Sequence, residues 1–487
     1  MLSKFASRLK RVRMTKESML SNALDSARGF LSENGLDSLP HWLCRNPSDF
    51  EIIYNYPLAN DVPIIRGDAP VQNFRSGSPS GVYIHIPFCY GTCSYCHYTR
   101  KRLQNTNQID AFLELIAKEM CLWTSLLPPD FGKRVETVFI GGGTPTTMTP
   151  LQISRVAELL TKTLHIYNAG CLREYTWEAS PESIIGESFE KLQVLRDIGV
   201  NRLSIGIQTF EERLLMLCAR EHTTQQAIDA VQCAKNAGFG NLNLDLIYAL
   251  PTQTYEEWFR TLNVATELRP QSISIHQLRL KSGTPMYDSH CHDLLDEPAR
   301  LTMLAMAHVS LKAAGYMAID NDCFILAEKF DHYHQKDKWT RCKDLLGLGP
   351  AAYGYLKGTT YFNLLRETDY AASVERMRLP IWREKKLTIA ECKARALVMG
   401  LSFYEGASMQ LYETMFHESV DVCFGTTLSR LEADGLIERA QGHVRLTIKG
   451  GFFSPEVRRE FFVNKQPQLS RGQGSYFPDF AYETLPI

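Results

Sequence analysis

Three things are scarce in this chain of 487 residues, and each scarcity narrows what it does. No apolar run approaches the roughly 20 residues that span a bilayer, so no membrane partner is expected. Net charge is scarce too. Lys and Arg number 53 against 54 Asp and Glu, −1 in all, which gives no overall basic field to hold nucleic acid or anionic lipid. Nor is there a disulfide framework. Of 13 cysteines, Cys44, Cys121, Cys171, Cys218, Cys233, Cys291, Cys323, Cys342, Cys392 and Cys423 are scattered through helical or strand-like patterns. That is the usage of a reducing compartment, and each reads as a buried, inert thiol.

What is present is ordinary in bulk: 44% hydrophobic and 22% charged residues, as in a globular protein. The length exceeds one core, so a large domain with one or two smaller ones is expected. The first 16 residues carry Lys4, Arg8, Lys10, Arg11, Arg13 and Lys16 without an acid. No continuous apolar stretch follows, which argues against a secretory signal. A basic surface helix of a cytoplasmic protein is the favoured reading, with a mitochondrial transit peptide as the alternative.

The remaining three cysteines stand together. Cys89, Cys93 and Cys96 form C-x-x-x-C-x-x-C directly after the apolar run Val82 to Ile86. Three thiolates from one loop hold a 4Fe-4S cube by three irons and leave the fourth open, whereas ligation normally takes four cysteines. The competing reading is a structural zinc with His97 or a distant cysteine as fourth ligand.

From residue 82 strand-like runs alternate with helical patterns: 82–86, 136–140, 174–178, 202–207, 241–247 and 271–278. Thr149-Pro150 opens the clearest helix, with Ile153, Val156, Leu159, Leu160 and Leu164 as its apolar stripe. Six such units predict an α/β fold with a parallel sheet whose chemistry sits at the carboxyl ends of its strands. The cysteine loop follows the first strand, and Gly141-Gly142-Gly143-Thr144-Pro145 follows the second. Glu178 ends the third, Gln208 the fourth, and Asp245 lies in the fifth. Glycines there admit close backbone approach to a ligand. The polar residues form a ring suited to ribose hydroxyls and an amino-acid moiety, and Arg220 suits a carboxylate. Taken singly, each of these polar residues also reads as a satisfied sheet-edge residue. After about residue 360 the pattern becomes helical, at 387–400 and 408–416, and then gives helix, "DGLIE", turn and "VRLTIKG". That is a winged-helix-like module without a basic recognition face.

The runs "VYIHIPFCYGTCSYC", "ETVFIGGGTPTTMTP", "GVNRLSIGIQTF", "NLDLIYALPTQT" and "LLGLGPAAYGY" resemble the radical S-adenosylmethionine (SAM) enzymes. The likeness is to the group around oxygen-independent coproporphyrinogen III oxidase and its heme-chaperone relatives, and it covers roughly residues 80 to 465. The resemblance implies an incomplete parallel (β/α)6 barrel over 76–360 and a helical, winged-helix-like C-terminal domain over 361–465. An N-terminal extension (1–75) and a tail (466–487) complete the chain.

The resemblance also implies the cofactors, a 4Fe-4S cluster and one or two molecules of SAM. Cys89, Cys93 and Cys96 would be the metal ligands, which displaces the zinc reading. Tyr83, Tyr95, Gly142, Gly143, Thr144, Glu178, Gln208, Arg220, Asp245, Leu278 and Tyr353 fall at SAM-contact positions. An electron donor such as flavodoxin or ferredoxin would drive cleavage of SAM to a 5′-deoxyadenosyl radical, and the substrate would be a conjugated or tetrapyrrole-like small molecule.

Departures from the family pattern discriminate among its branches. His97 and Tyr98 stand where the oxidases carry glycine and cysteine, and His334-Gln-Lys-Asp-Lys-Trp339 stands where the chaperones carry H-N-x-x-Y-W. His276 replaces a common tyrosine, and Ala249 a usual glycine. These departures point to the third branch, the class C methyltransferases and cyclopropanases. The reading is one-carbon transfer to an sp2 carbon, with oxidative decarboxylation and heme delivery as alternatives. His97, Tyr98 and His276 are the candidate proton-handling residues; packing or a simple hydrogen bond is the competing role for each.

Overall fold

The computed structural model describes residues 16–37, 53, 55–65, 79–166, 172–185 and 189–463. The basic stretch 1–15, the tail 466–487, Cys44 and Cys171 lie outside the described residues. Six strands follow one another as expected: β1 (Gly81–Ile86), β2 (Thr137–Gly142), β3 (Glu174–Ala179), β4 (Arg202–Gln208), β5 (Leu242–Tyr248) and β6 (Ser272–Gln277). They pair in that order, all parallel. Their residues are buried almost throughout, as in a sheet covered on both faces. The crossover helices start alike. Thr149, Thr223 and Thr254 each cap a helix and exchange hydrogen bonds with a Gln or Glu three residues on.

The sheet is larger than six strands. Two short antiparallel strands, β7 (Met317–Ala318) and β8 (Cys323–Ile325), extend it beyond β6. At the other edge β9 (Leu345–Leu348) runs parallel beside β1, followed by antiparallel β10 (Tyr353–Leu356), β11 (Thr359–Asn363) and β12 (Ile381–Lys386). The full order is β12-β11-β10-β9-β1-β2-β3-β4-β5-β6-β8-β7, and its two ends do not pair among the described residues. The glycines of "LGLGP" hid β9 as a strand. A Cβ on Gly347 would lie 2.1 Å from the Tyr353 carbonyl oxygen, so glycine is what lets β10 fold back on it. Because β11 and β12 belong to this sheet, it runs past residue 360, where the sequence pattern changes.

The C-terminal module contains helices Ile389–Gly400, Met409–Phe416 and Val420–Ala433, then a small sheet of Ala407–Ser408, Ile437–Ala440 and His443–Leu446. That is the winged-helix-like pattern expected. The N-terminal helix Lys16–Glu33 lies along helix Glu297–Ala313, with the Phe30 ring 5.6 Å from His308 and 6.0 Å from Phe452.

Candidate active site

A cavity of about 610 Å³ runs inside the sheet from the carboxyl ends of the strands (Cys89, Gly142, Gln208) to their starts (Glu174, Arg202). All the residues singled out from sequence line it: the three cysteines, the eleven SAM-contact candidates, and His97, Tyr98 and His276.

The cysteine loop is held from three sides. Thr144 Oγ1 lies 3.7 Å from Cys89 Sγ, and Arg220 Nη1 donates to Cys93 Sγ at 3.2 Å. Ser94 Oγ donates to the Leu217 carbonyl at 2.7 Å. Burial pushes the Cys89 thiol up to about 12 and the Cys96 thiol up as well, so uncompensated thiolates are disfavoured and a cationic ligand is needed to hold them ionised. Among the described residues no three His, Cys, Asp or Glu side chains converge on one metal ion.

Beside the loop, Gly142 turns with a φ of +112° and donates its N–H to Glu178 Oε2 at 2.8 Å. A Cβ there would meet the His85 ring at 2.6 Å, so the turn needs glycine on both counts. Burial, with Asp245 nearby, pushes the Glu178 carboxyl up to about 7. Gln208 sits at a φ of +71° next to a register shift at Gly206, which re-aims the end of β4. Arg220 Nη2 donates to the Gly206 carbonyl at 2.8 Å, while its buried Nε has no hydrogen-bond partner.

Asp245 accepts from Ser204 Oγ at 2.7 Å and Asn243 Nδ2 at 2.8 Å, and His276 Nε2 lies 3.7 Å away. At that distance the pair is ionic rather than hydrogen-bonded. Burial works against both charges. His276, Ser204 and Arg202 outweigh it and hold Asp245 down; Asp245, Asp322 and Asp320 outweigh it and push His276 up. His97 stacks on Tyr98 at 4.5 Å, and burial with Arg279, Lys281 and Arg100 around it pushes it down to about 3. Neutral His97 is therefore a weaker proton donor than His276. Ala249 has a φ of +59°, which explains the glycine usual there.

Sequence reasoning missed His85. Its Nδ1 accepts from Tyr83 OH at 3.0 Å, and Nε2 donates to the Thr99 carbonyl at 2.9 Å, tying β1 to the chain just beyond the cysteines. Its inward place in the alternation "VYIHI" was the available signal. Asp320, Arg202 and Lys338 also line the cavity, without any local motif to mark them.

Residues 83–265 match the Radical SAM superfamily and 393–453 the HemN C-terminal domain. The chain is 31% identical over 391 residues to the heme chaperone HemW of Lactococcus lactis, covering 79% of this chain and 98% of that one. It is 29% identical over 398 residues to the oxygen-independent coproporphyrinogen III oxidase of Salmonella typhimurium, covering 76% and 83%. The structure of the Escherichia coli coproporphyrinogen III oxidase HemN, a radical SAM enzyme, superposes with a TM-score of 0.73 at 26% identity, covering 84% of this chain and 96% of that one. The chain thus belongs to the radical SAM superfamily and, within it, to the HemN and HemW group. These relatives favour porphyrinogen oxidation or heme delivery over one-carbon transfer. Among the described residues no helix is long and apolar enough to cross a bilayer.

The family works with a 4Fe-4S cluster and SAM, and the donors here fit both. Three thiols share one wall with a guanidinium on one of them, and the unpartnered Arg220 Nε suits a carboxylate.

Proposed function

We propose that this protein uses its cluster and SAM to oxidise a tetrapyrrole of the porphyrinogen class at a propionate side chain, in the reducing cytoplasm. The observation that carries the reading is the continuity of the cavity: the cysteine loop and the deep pocket at the strand starts share one space of about 610 Å³. When bound, the cofactors supply abstraction of a hydrogen atom from an unactivated C–H bond. The carbon–carboxylate bond then breaks, CO2 leaves, a vinyl double bond forms, and one electron passes to a one-electron carrier of the ferredoxin or flavin class.

The chain's own residues position and shield. Arg220 and the Gly142-Gly143 turn would hold the amino-acid end of SAM, and Asp245 and Gln208 its ribose. His276, whose protonated form is favoured by Asp245 and the acids behind it, would hold a proton beside the reacting carbon. Apolar Phe139, Ala179, Ile247 and Leu278 on the cavity wall would help keep water from a radical.

Heme delivery is the second reading, favoured because the HemW of Bacillus subtilis and that of Lactococcus lactis are covered over 97% and 98% of their lengths. Against it, His334, at the chaperone-motif position, is buried at 3% exposure and engaged at Nδ1 by Thr137 Oγ1 at 3.0 Å.

The test is anaerobic incubation of the reconstituted full chain with methyl-deuterated SAM, dithionite and coproporphyrinogen III, read by mass spectrometry. 5′-Deoxyadenosine with a product lighter by CO2 and two hydrogens is expected. Tight heme binding without 5′-deoxyadenosine would shift the assignment to delivery, and deuterium in the product would restore one-carbon transfer.

A further inference from the structure

The segment 331–343 packs under the starts of β2, β3 and β4. His334 meets Thr137, its backbone N–H donates to Glu174, and His332 meets Arg202. The segment is rich in cations, and all but one have acids. Lys336 pairs with Asp331 at 2.7 Å and Glu405 at 2.8 Å, Arg341 with Asp337 at 2.7 Å, and Lys343 with Glu136 at 2.8 Å. Lys338 is the exception. Its ammonium lies 4.3 Å from the centre of the Trp339 ring, and among the described residues no carboxylate lies within ion-pair distance.

The charge next to it has the same sign. Arg395, on helix Ile389–Gly400, is 1% exposed, donates weakly to the Lys338 carbonyl at 3.4 Å, and covers the Tyr355 ring at 3.7 Å. The groups around its guanidinium are Tyr353, Tyr355 and Cys342, none of them a carboxylate. Lys338, partly exposed to the cavity, and buried Arg395 are like charges, a costly arrangement that a bound anion would relieve. Lys338 lines the cavity together with His334, Trp339, Tyr353 and Phe403, so the ligand that reaches it is the one the cavity holds. Burial and Arg395 together push the lysine down to about 7, which an incoming anion would reverse.

We propose that Lys338 is the carboxylate anchor of the substrate cavity, taking one unreacting propionate-type carboxylate of the tetrapyrrole with Arg395 behind it. This rests on the tetrapyrrole reading above and adds to it an orientation. One acid arm points to the strand starts while another reaches the cysteine end.

The test is fluorescence titration of the cluster-reconstituted full chain with coproporphyrin III, the oxidised and unreactive tetra-acid, and with its neutral tetra-amide. Wild type is expected to prefer the acid. Lys338→Met and Lys338→Gln should each weaken acid binding about tenfold and leave the amide unchanged, and Lys338→Arg should retain the preference. Iron content and melting temperature equal to wild type establish that a variant is folded. If folded Lys338→Met and Lys338→Gln keep the wild-type preference, the anchor is wrong and the tetrapyrrole reading stands. If wild type binds neither porphyrin, both fall.

Discussion

At the scale of single residues, Arg220 is the side chain on which the site turns. It touches Cys93 of the cysteine loop and a strand-end carbonyl at once, lies 4.0 Å from the Glu182 carboxylate, and keeps a buried Nε without a hydrogen-bond partner. A neutral, shorter replacement removes the charge and both Nη hydrogen bonds while leaving the three cysteines in place. Arg220→Gln is therefore expected to bind iron near normally while its affinity for SAM falls about tenfold or more. Cys93→Ala, which removes one of the three proposed ligands, should lose both the iron and SAM cleavage. Iron analysis beside SAM titration separates the two, and unchanged SAM affinity in a folded Arg220→Gln would remove Arg220 from the binding site. Much of this level was legible in the chain. The cysteine spacing, the glycine turn and the strand-end acids are local features, and each was placed on the cavity wall by the position of its own strand. Ala249 and Gln208 were legible as identities but not as conformations, because a left-handed φ leaves no mark on residue type when the residue is not glycine.

At the scale of elements, the organising group is a carboxylate no local pattern marks. Glu119, on helix Asn107–Thr124, has 0% exposure. It accepts from the Gly349 N–H at 2.8 Å, Asn363 Nδ2 at 2.8 Å and Tyr370 OH at 2.7 Å. It thereby joins that helix to the turn after β9, to β11 and to helix Glu367–Glu375, more than two hundred residues along the chain. Such long-range pairing is invisible to periodicity, which is also why β9 and its antiparallel followers were not read as part of the sheet. Burial pushes Glu119 up to about 7 from 4.5 despite its donors. A carboxyl whose folded value lies above its unfolded value binds more protons when folded, so stability falls as pH rises from 4.5 through 7. The shift is worth about 3 kcal/mol. Glu119→Gln cannot ionise, so its melting temperature relative to wild type should rise between pH 5 and pH 8. A gap between the two proteins that is flat across this range would show that Glu119 keeps one protonation state throughout.

At the scale of the whole molecule, the two ends of the cavity are built by different parts of the chain. Strand ends and their loops make the cysteine end; the C-terminal module and the segment near Ile53 contribute to the rest, with Phe403 packed on Trp339 at 5.9 Å. Arg458, 4% exposed and on the cavity wall, ties these parts together. It donates to the Val398 carbonyl at 2.5 Å and the Ile53 carbonyl at 2.8 Å. Removing it leaves two buried acceptors short of a donor, a cost of about 2–5 kcal/mol. That cost falls on the wall of the substrate space and not on the cysteine loop. Arg458→Ala should therefore melt lower than wild type and form less tetrapyrrole product, with KM raised more than kcat is lowered. Substrate-independent cleavage of SAM should continue near the wild-type rate. Arg458→Lys, which keeps the charge but not the forked geometry that reaches both carbonyls, should fall between. The ratio of product to 5′-deoxyadenosine reads the difference directly. A folded Arg458→Ala that loses both in proportion would mean that the module acts on the cluster end, and that the cavity is one mechanical unit rather than two ends with separate supports.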